Sequence, residues 1–329
     1  MATWSELPLV SIAQNAAYNP QFYVPEIMQY IQESSKIYPF AGQVQRYGAR
    51  LGDTFSINIT QKIGTYTRAT TLSAGTKVPL SNIVTKTYYG TVAEMGNGVK
   101  MEKFLLNVSP SDIEGRSVRF ALGDDIAEML DCKVRNAVYT ATTYKLNGGT
   151  YESTSFQAIG TRGHAKFTWE ALVRLNTVKM LNNVGDVATP LFIHPYQWED
   201  MILDTTTIKG FTDISRYTER GIQKLYSGEI GEILGNKIIV TNRVVGTKES
   251  ASTGTLQTAV AFGFKPELAV AFAWTLPTEI RYEDDYDTDF GRTSALAHYG
   301  QGGAVKLVDE FNWMVKTDVR ADITAYAIG

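Results

Sequence analysis

Three histidines, one cysteine and one dense acidic run are the residues of this chain best suited to chemistry, and their spacing does not assemble a site. His164, His194 and His298 form no pair at the helical or turn spacing that puts two imidazoles on one zinc ion. With a single cysteine, Cys132, the local sequence cannot complete a tetrahedral ligand set. Structural roles are expected for all three, and His194 before Pro195 reads as a helix boundary. Cys132 leaves no intrachain disulfide, and its setting in a helical apolar pattern predicts a buried thiol made in a reducing compartment. In residues 283–289 (EDDYDTD), Asp285, Asp287 and Asp289 alternate as in the opening of a calcium loop. The sixth position is then Phe290 where glycine is needed, and the twelfth is Leu296 where a bidentate glutamate is needed, so the loop fails as an EF-hand. A solvated turn capped by Arg281 and Arg292 is the expected reading, with a weaker cation site between subunits as its alternative.

The glycines at 228, 231 and 235 match neither a phosphate loop, which needs Lys and Ser or Thr, nor a dinucleotide fingerprint, so they read as a turn. No serine sits in a nucleophile elbow, and the Gly300, Gln301, Gly302, Gly303 cluster has no phosphate-binding partners nearby. The aromatic residues, 18 Tyr, 14 Phe and 5 Trp, are not interleaved with Arg and Lys as a single-strand stacking groove requires. They read as core and interface. The expectation is a protein that is not an enzyme, with no cofactor and no metal.

The elements that must position these residues belong to an ordered globular chain. A length of 329 residues exceeds what one core usually holds, so an elaborated domain or two lobes are expected. With 31 basic against 34 acidic residues, a net charge of −3 excludes a strong sequence-independent grip on phosphates and leaves any nucleic-acid contact loose. No stretch approaches the roughly 18 to 20 consecutive apolar residues of a membrane helix. The first 25 residues contain no Lys or Arg, unlike a signal or transit peptide, so synthesis in the cytoplasm is expected.

Residues 1–45 are poor in charge and read as an extended arm, with one short helix around Pro25 to Glu33. From Gly52 the period changes to two. Phe55, Ile57 and Ile59 alternate with Ser56, Asn58 and Thr60, and after a turn-rich run residues 83–94 resume strand character, predicting a long hairpin. A two-stranded ribbon is marginal in water alone, so this one should dock on something else. Ser111 and Glu114 have capping-box spacing ahead of Val118, Leu122, Ile126, Met129, Val134 and Val138, predicting a helix to about Thr140, a rod of roughly 40 Å. After a turn at Asn147, Gly148 and Gly149, Thr168 opens a second helix through about Asn182, TPLFIH forms a buried strand, and Pro195 starts a third helix to about Leu203. Strands are predicted at 236–241, 258–263, 269–274, 278–283, 293–299 and 304–319. With no repeat and no flexible linker, the lobes should share strands.

That order of parts, charge-poor arm, long hairpin, long helix, mixed lobe and returning strands, resembles the tailed-phage capsid fold. GDTFSINI opening the hairpin and YGTVAEMGNGVKMEKFLLNVSPSDI leading into the long helix are similar to segments of podovirus-type major capsid proteins. So are FTWEALVRLNTVKMLNNV, LFIHPYQWEDMI, LYSGEIGEILGNKIIVTNRV and FGFKPELAVAF. The resemblance implies an α+β fold with an N-terminal arm (1–45), an E-loop hairpin (46–105), a peripheral domain (106–165 and 277–329) carrying the spine helix at about 111–140, and an axial domain (166–276). It implies hexamers and pentamers of an icosahedral virion shell around double-stranded DNA, held by modest contacts that arm and hairpin multiply. Because the chain enters the arm directly from Met1, a separate scaffolding protein is expected, with a portal and a cement protein as further partners and no membrane. No Lys, Asn and carboxylate trio for a covalent crosslink is identifiable. The hairpin tip, Thr65, Tyr66, Thr67, Arg68, Ala69, Thr70 and Thr71, is the expected point of subunit contact. An encapsulin-like nanocompartment shell is the principal alternative, followed by a β-rich decoration or fibre protein and an unrecognised enzyme in the mixed lobe.

Overall fold

Alternation of apolar side chains along strands and apolar stripes along helices builds two main sheets that share one interior with the long helix. The computed structural model describes residues 9–11, 35–44, 54–60, 75, 77, 85–103, 118–140, 145–147, 150–152, 166–182, 184, 188–203, 232–251, 254–284 and 290–319. The expected short helix at 25–33, the capping pair Ser111 and Glu114, His164, the acidic residues 285–289 and the hairpin tip Thr65 to Thr71 lie outside them.

The strands in chain order are β1 (Leu9–Ser11), β2 (Gly42–Val44), β3 (Thr54–Thr60), β4 (Thr85–Thr91), β5 (Ala93–Glu102), β6 (Lys145–Asn147), β7 (Thr150–Glu152), β8 (Thr189–Ile193), β9 (Glu232–Ile233), β10 (Asn236–Val240), β11 (Val245–Ala251), β12 (Gly254–Phe264), β13 (Val270–Asp284), β14 (Thr293–Lys306) and β15 (Asn312–Val319). The helices are α1 (Arg119–Tyr139), α2 (Trp169–Leu181) and α3 (Pro195–Leu203). One sheet has the order β1-β5-β14-β13-β2, a second the order β7-β6-β15-β12-β8-β10-β9 with β11 also on β12, and β3 pairs with β4 alone.

The predicted stripe of the long helix is buried except at Met129, which is partly buried. Val118, Leu122, Ile126, Val134 and Val138 are at most 5% exposed and meet Met101, Ile280, Leu296, Val270 and Phe272 of the first sheet. The same core continues into Val260, Phe262, Phe264 and Met314 of the second sheet, so the two sheets share one interior. The alternate residues of that second sheet, Leu191, Ile193, Ala261, Trp313 and Val315, face the other way and pack on Phe167, Ala171, Leu172 and Leu175 of α2 and Met201 of α3. β8 is buried at every position, as a strand covered on both faces must be, and it runs parallel to β10.

Local chemistry sets the helix starts. Thr168 holds the extended backbone of an N-cap, although its hydroxyl makes no cap bond. Before α3, His194 stands at the N-cap. Its amide donates to Gln197 Oε1 at 2.9 Å while the Tyr196 amide donates to His194 Nδ1 at 3.3 Å, a reciprocal cap built around Pro195.

Several expected strands have different limits. The runs at 269–274 and 278–283 are one strand, β13, with register shifts between Trp274 and Glu279 where Pro277 has no N–H for the ladder. The stretch 304–319 is broken by the short 3-10 turn Asp309–Phe311, which sends β14 to the first sheet and β15 to the second. β5 and β11 lack strand-like composition, yet both are strands. β5 carries Gly96-Asn97-Gly98, a poor strand sequence by propensity. It pairs with β14 along its whole length, and a Cβ on Gly96 would stand 2.6 Å from the carbonyl oxygen of His298.

Candidate assembly surface

The hairpin is anchored to the body by Phe55. β3 and β4 pair antiparallel from Thr54 opposite Thr91 to Thr60 opposite Thr85, as the expected hairpin requires. Phe55 is fully buried and packs with Ala271, Ala273, Val305 and Leu307, on the face of the first sheet turned away from α1. Gly90 sits directly over it, since a Cβ there would lie 2.4 Å from the Phe55 ring. Farther along, Ser56, Asn58, Thr60, Thr85, Lys86 and Thr87 are exposed, and Tyr89 is 70% exposed. The ribbon is therefore rooted in the core on one face, where Ile57, Ile59 and Tyr88 pack partly buried against the Phe55 cluster, and polar on the other.

The N-terminal segment is held by a carboxylate. Asp131, on the buried stripe of α1, is fully buried, and its two oxygens accept five hydrogen bonds. Oδ1 takes Ser35 Oγ (2.6 Å), the Ile37 amide (3.0 Å) and the Tyr38 amide (2.9 Å). Oδ2 takes the Lys36 amide (3.0 Å) and Arg243 Nη1 (2.7 Å). Arg243 also reaches Asp124 at 3.2 Å, and the buried Arg135 donates to the Arg243 carbonyl at 3.1 Å. Arm, long helix and the turn after β10 thus meet at one charge-assisted knot. Trp274 Nε1 donates to Tyr38 Oη at 2.9 Å, and burial pushes the Tyr38 hydroxyl above its ordinary range, partly offset by that bond. Nothing in the sequence reading singled out Asp131. Its signal was an acid on the helical stripe with Ala127, Val134 and Val138, a position where a charge must find partners.

The candidate chemical residues stay apart. His194 caps α3, and burial lowers its pKa below the ordinary 6.5. His298, 1% exposed on β14, bonds Asp125 Oδ2 on α1 at 2.6 Å. Cys132 is half-buried rather than fully buried, with burial raising its thiol pKa. Gly235 occupies the tight turn between β9 and β10 with φ 67°, next to Leu234 at 49°, while Gly228 and Gly231 lie outside the described residues. Among the described residues no three His, Cys, Asp or Glu stand close enough to hold a metal ion, and no helix is long and apolar enough to cross a membrane.

No protein-family model matches the chain, nor does any curated protein sequence. Solved structures do match it. The cyanophage Pam1 capsid superposes with a TM-score of 0.64 at 13% identity, covering 98% of this chain and 99% of that one. The capsid of Ralstonia phage GP4 gives 0.63 at 14% identity over 98% and 96%. A virus-like particle from Pyrococcus furiosus gives 0.52 at 12% identity over 90% and 98%. The likeness covers nearly the whole of this chain and of the capsid chains, so this chain has the tailed-phage capsid fold.

Proposed function

We propose that the chain is the major shell subunit of a tailed bacteriophage, forming hexamers and pentamers of an icosahedral capsid around double-stranded DNA. The observation that carries this reading is the end-to-end likeness to phage capsids, in which almost nothing of either chain is left over for another activity. The ribbon supports it: a two-stranded hairpin rooted on one face by Phe55, Ile57, Ile59 and Tyr88, with Ser56, Asn58, Thr60, Thr85 and Thr87 exposed, fits a part that docks on a neighbour. In this reading the arm is residues 1–45, the E-loop 46–105, the peripheral domain 106–165 and 277–329, and the axial domain 166–276. β15 pairs with β12 across the boundary at 277, so the two domains share a sheet. The ribbon tip, Thr65 to Thr71, touches an adjacent subunit. The subunit is made in the host cytoplasm, assembles on a separate scaffolding protein, and joins a portal in the virion. Its net charge of −3 suits a container that must release its genome.

The test is negative-stain electron microscopy of the full chain, alone and co-expressed with the adjacent scaffolding gene. Closed particles or rings are expected. A strict monomer across concentration and salt with scaffold present refutes the reading. The likeness to the Pyrococcus furiosus particle favours a second reading, a cellular nanocompartment shell. Nuclease-protected DNA inside particles from the native source separates the two, since the phage shell holds a genome and the compartment does not.

A further inference from the structure

A strand segment that its own composition disfavours also brings two reactive groups together. In β5, Gly96, Asn97 and Gly98 are all exposed. Among the described residues β1 borders β5 only at Lys100 to Glu102, so at Asn97 the strand has a free edge on that side. On the other side β14 sets His298 opposite Asn97 and Ala297 opposite Gly98. The Gly98 amide donates to Asn97 Oδ1 at 2.9 Å, so the side chain lies over its own following peptide. Because Cγ is one carbonyl bond from Oδ1, it stands within about 4 Å of the Gly98 nitrogen.

An asparagine is thermolabile when the next backbone nitrogen can attack its carboxamide carbon and close a five-membered imide. Holding the two atoms near contact removes much of the entropic barrier to such a step. The residue that follows decides the rest: glycine has no Cβ to block the approach and turns readily into the conformation the ring needs. Asn97 meets these conditions, with glycine on both sides, exposure to water and the amide already in reach. Asn236, Asn312 and Asn58 each fail at least one of them. The first two are fully buried and precede Lys237 and Trp313, and Asn58 is exposed but precedes the β-branched Ile59. Asn147 also precedes a glycine, Gly148, which lies outside the described residues.

We propose that Asn97 is a site of spontaneous deamidation. The Gly98 nitrogen gives its proton to hydroxide and bonds to Asn97 Cγ, the Cγ–Nδ2 bond breaks, and Nδ2 leaves as ammonia with a proton from water. Water then adds to one or other carbonyl of the imide and opens it to isoaspartate or aspartate, with nothing oxidised or reduced. The place of the change gives it consequences. Side chains directly opposite in an antiparallel pair stand about 5 Å apart, so a new carboxylate at position 97 faces His298, the ring that already bonds Asp125 Oδ2 of α1 at 2.6 Å. Isoaspartate also lengthens the main chain by one carbon just before Val99 and Met101, which share the core of α1. Both products act at the junction of β5, β14 and the long helix, and the site is independent of the shell reading.

The test holds the native full-length protein in mildly alkaline buffer beside the same chain in urea, and follows both by tryptic peptide mapping against time. The peptide 87–100 contains Asn97 as its sole side-chain amide, so the mass gained when an amide becomes an acid reports that position. Native Asn97 is expected to convert within about tenfold of the unfolded rate, since an exposed strand edge opens at little cost. It should yield aspartate and isoaspartate together, while Asn58, Asn236 and Asn312 stay amides over the same period. Asn97→Gln, whose side chain would have to close a six-membered ring, should leave the peptide unchanged. Protection of native Asn97 by more than about tenfold, aspartate without isoaspartate, or conversion of Asn97→Gln at the wild-type rate overturns the proposal.

Discussion

Removing the Asp131 carboxylate should separate the arm from the body more than any other single truncation on α1. Five donors converge on it, two of them strongly, at 2.6 Å from Ser35 Oγ and 2.7 Å from Arg243 Nη1. A hydrogen bond to a charged group is worth roughly 1.5–3 kcal/mol, but the values do not add here. The Lys36 and Tyr38 amides are only partly buried and regain water in Asp131→Ala, whereas Arg243, whose side chain is 12% exposed, keeps only Asp124. What remains is the Ser35 hydroxyl, the buried Ile37 amide and an arginine without its main partner, which places the loss at about 3–5 kcal/mol, the range for breaking a buried ion pair. Against a typical total of about 5–15 kcal/mol this is severe. Urea unfolding of the full chain below its assembly concentration, followed by tryptophan fluorescence, reads it directly. Asp124→Ala is the control, because Asp124 holds the same arginine at 3.2 Å from a side chain 58% exposed, where a pair contributes about 0–1 kcal/mol. Limited trypsinolysis should also open at Lys36 in Asp131→Ala. A loss below about 1 kcal/mol, or Asp124→Ala costing as much as Asp131→Ala, would refute the account of Asp131 as the point that fixes the arm.

Three further outcomes follow from the same packing. Phe55→Ala should cost about 3–5 kcal/mol and release the ribbon, while Gly90→Ala should cost about 1–3 kcal/mol by driving a methyl into a ring with no room to move. Combining Gly90→Ala with Phe55→Leu should recover part of that loss in urea melts, and strict additivity would contradict the contact. His194 has a lowered pKa, so below pH 6.5 the unfolded chain binds a proton that the folded chain refuses. Stability should therefore fall as pH drops through 6.5, and His194→Gln should flatten part of the difference in melting temperature between pH 7.5 and 5.5; an unchanged slope would contradict it. Burial raises the Cys132 thiol, so Ellman's reagent at neutral pH should react much more slowly with native protein than with urea-unfolded chain, and equal rates would show the thiol to be open.

The elements were legible in this sequence where burial is periodic and local. The stripe of α1 from Val118 to Val138, the Thr168 and Pro195 helix starts, the ribbon from Phe55 to Ile59 and the buried TPLFI strand all follow from side chains that repeat at 3.6 or 2 residues, because each such element hides one face. The order of those elements was enough to point to the capsid fold. What the tertiary structure decided is non-local. Gly96 and Gly98 make β5 unattractive as a strand by propensity, yet the close approach of β14 requires them small. Residues 304–319 look like one strand until the turn at Asp309 assigns its halves to different sheets. Asp131 reads as an ordinary helical acid until residues 35–38 and Arg243, each nearly a hundred positions or more away, converge on it. Periodicity reports which face of an element is buried. It carries no record of the partner that buries it, and the partner is what makes a glycine necessary, a strand break, or an acid the point on which an arm turns.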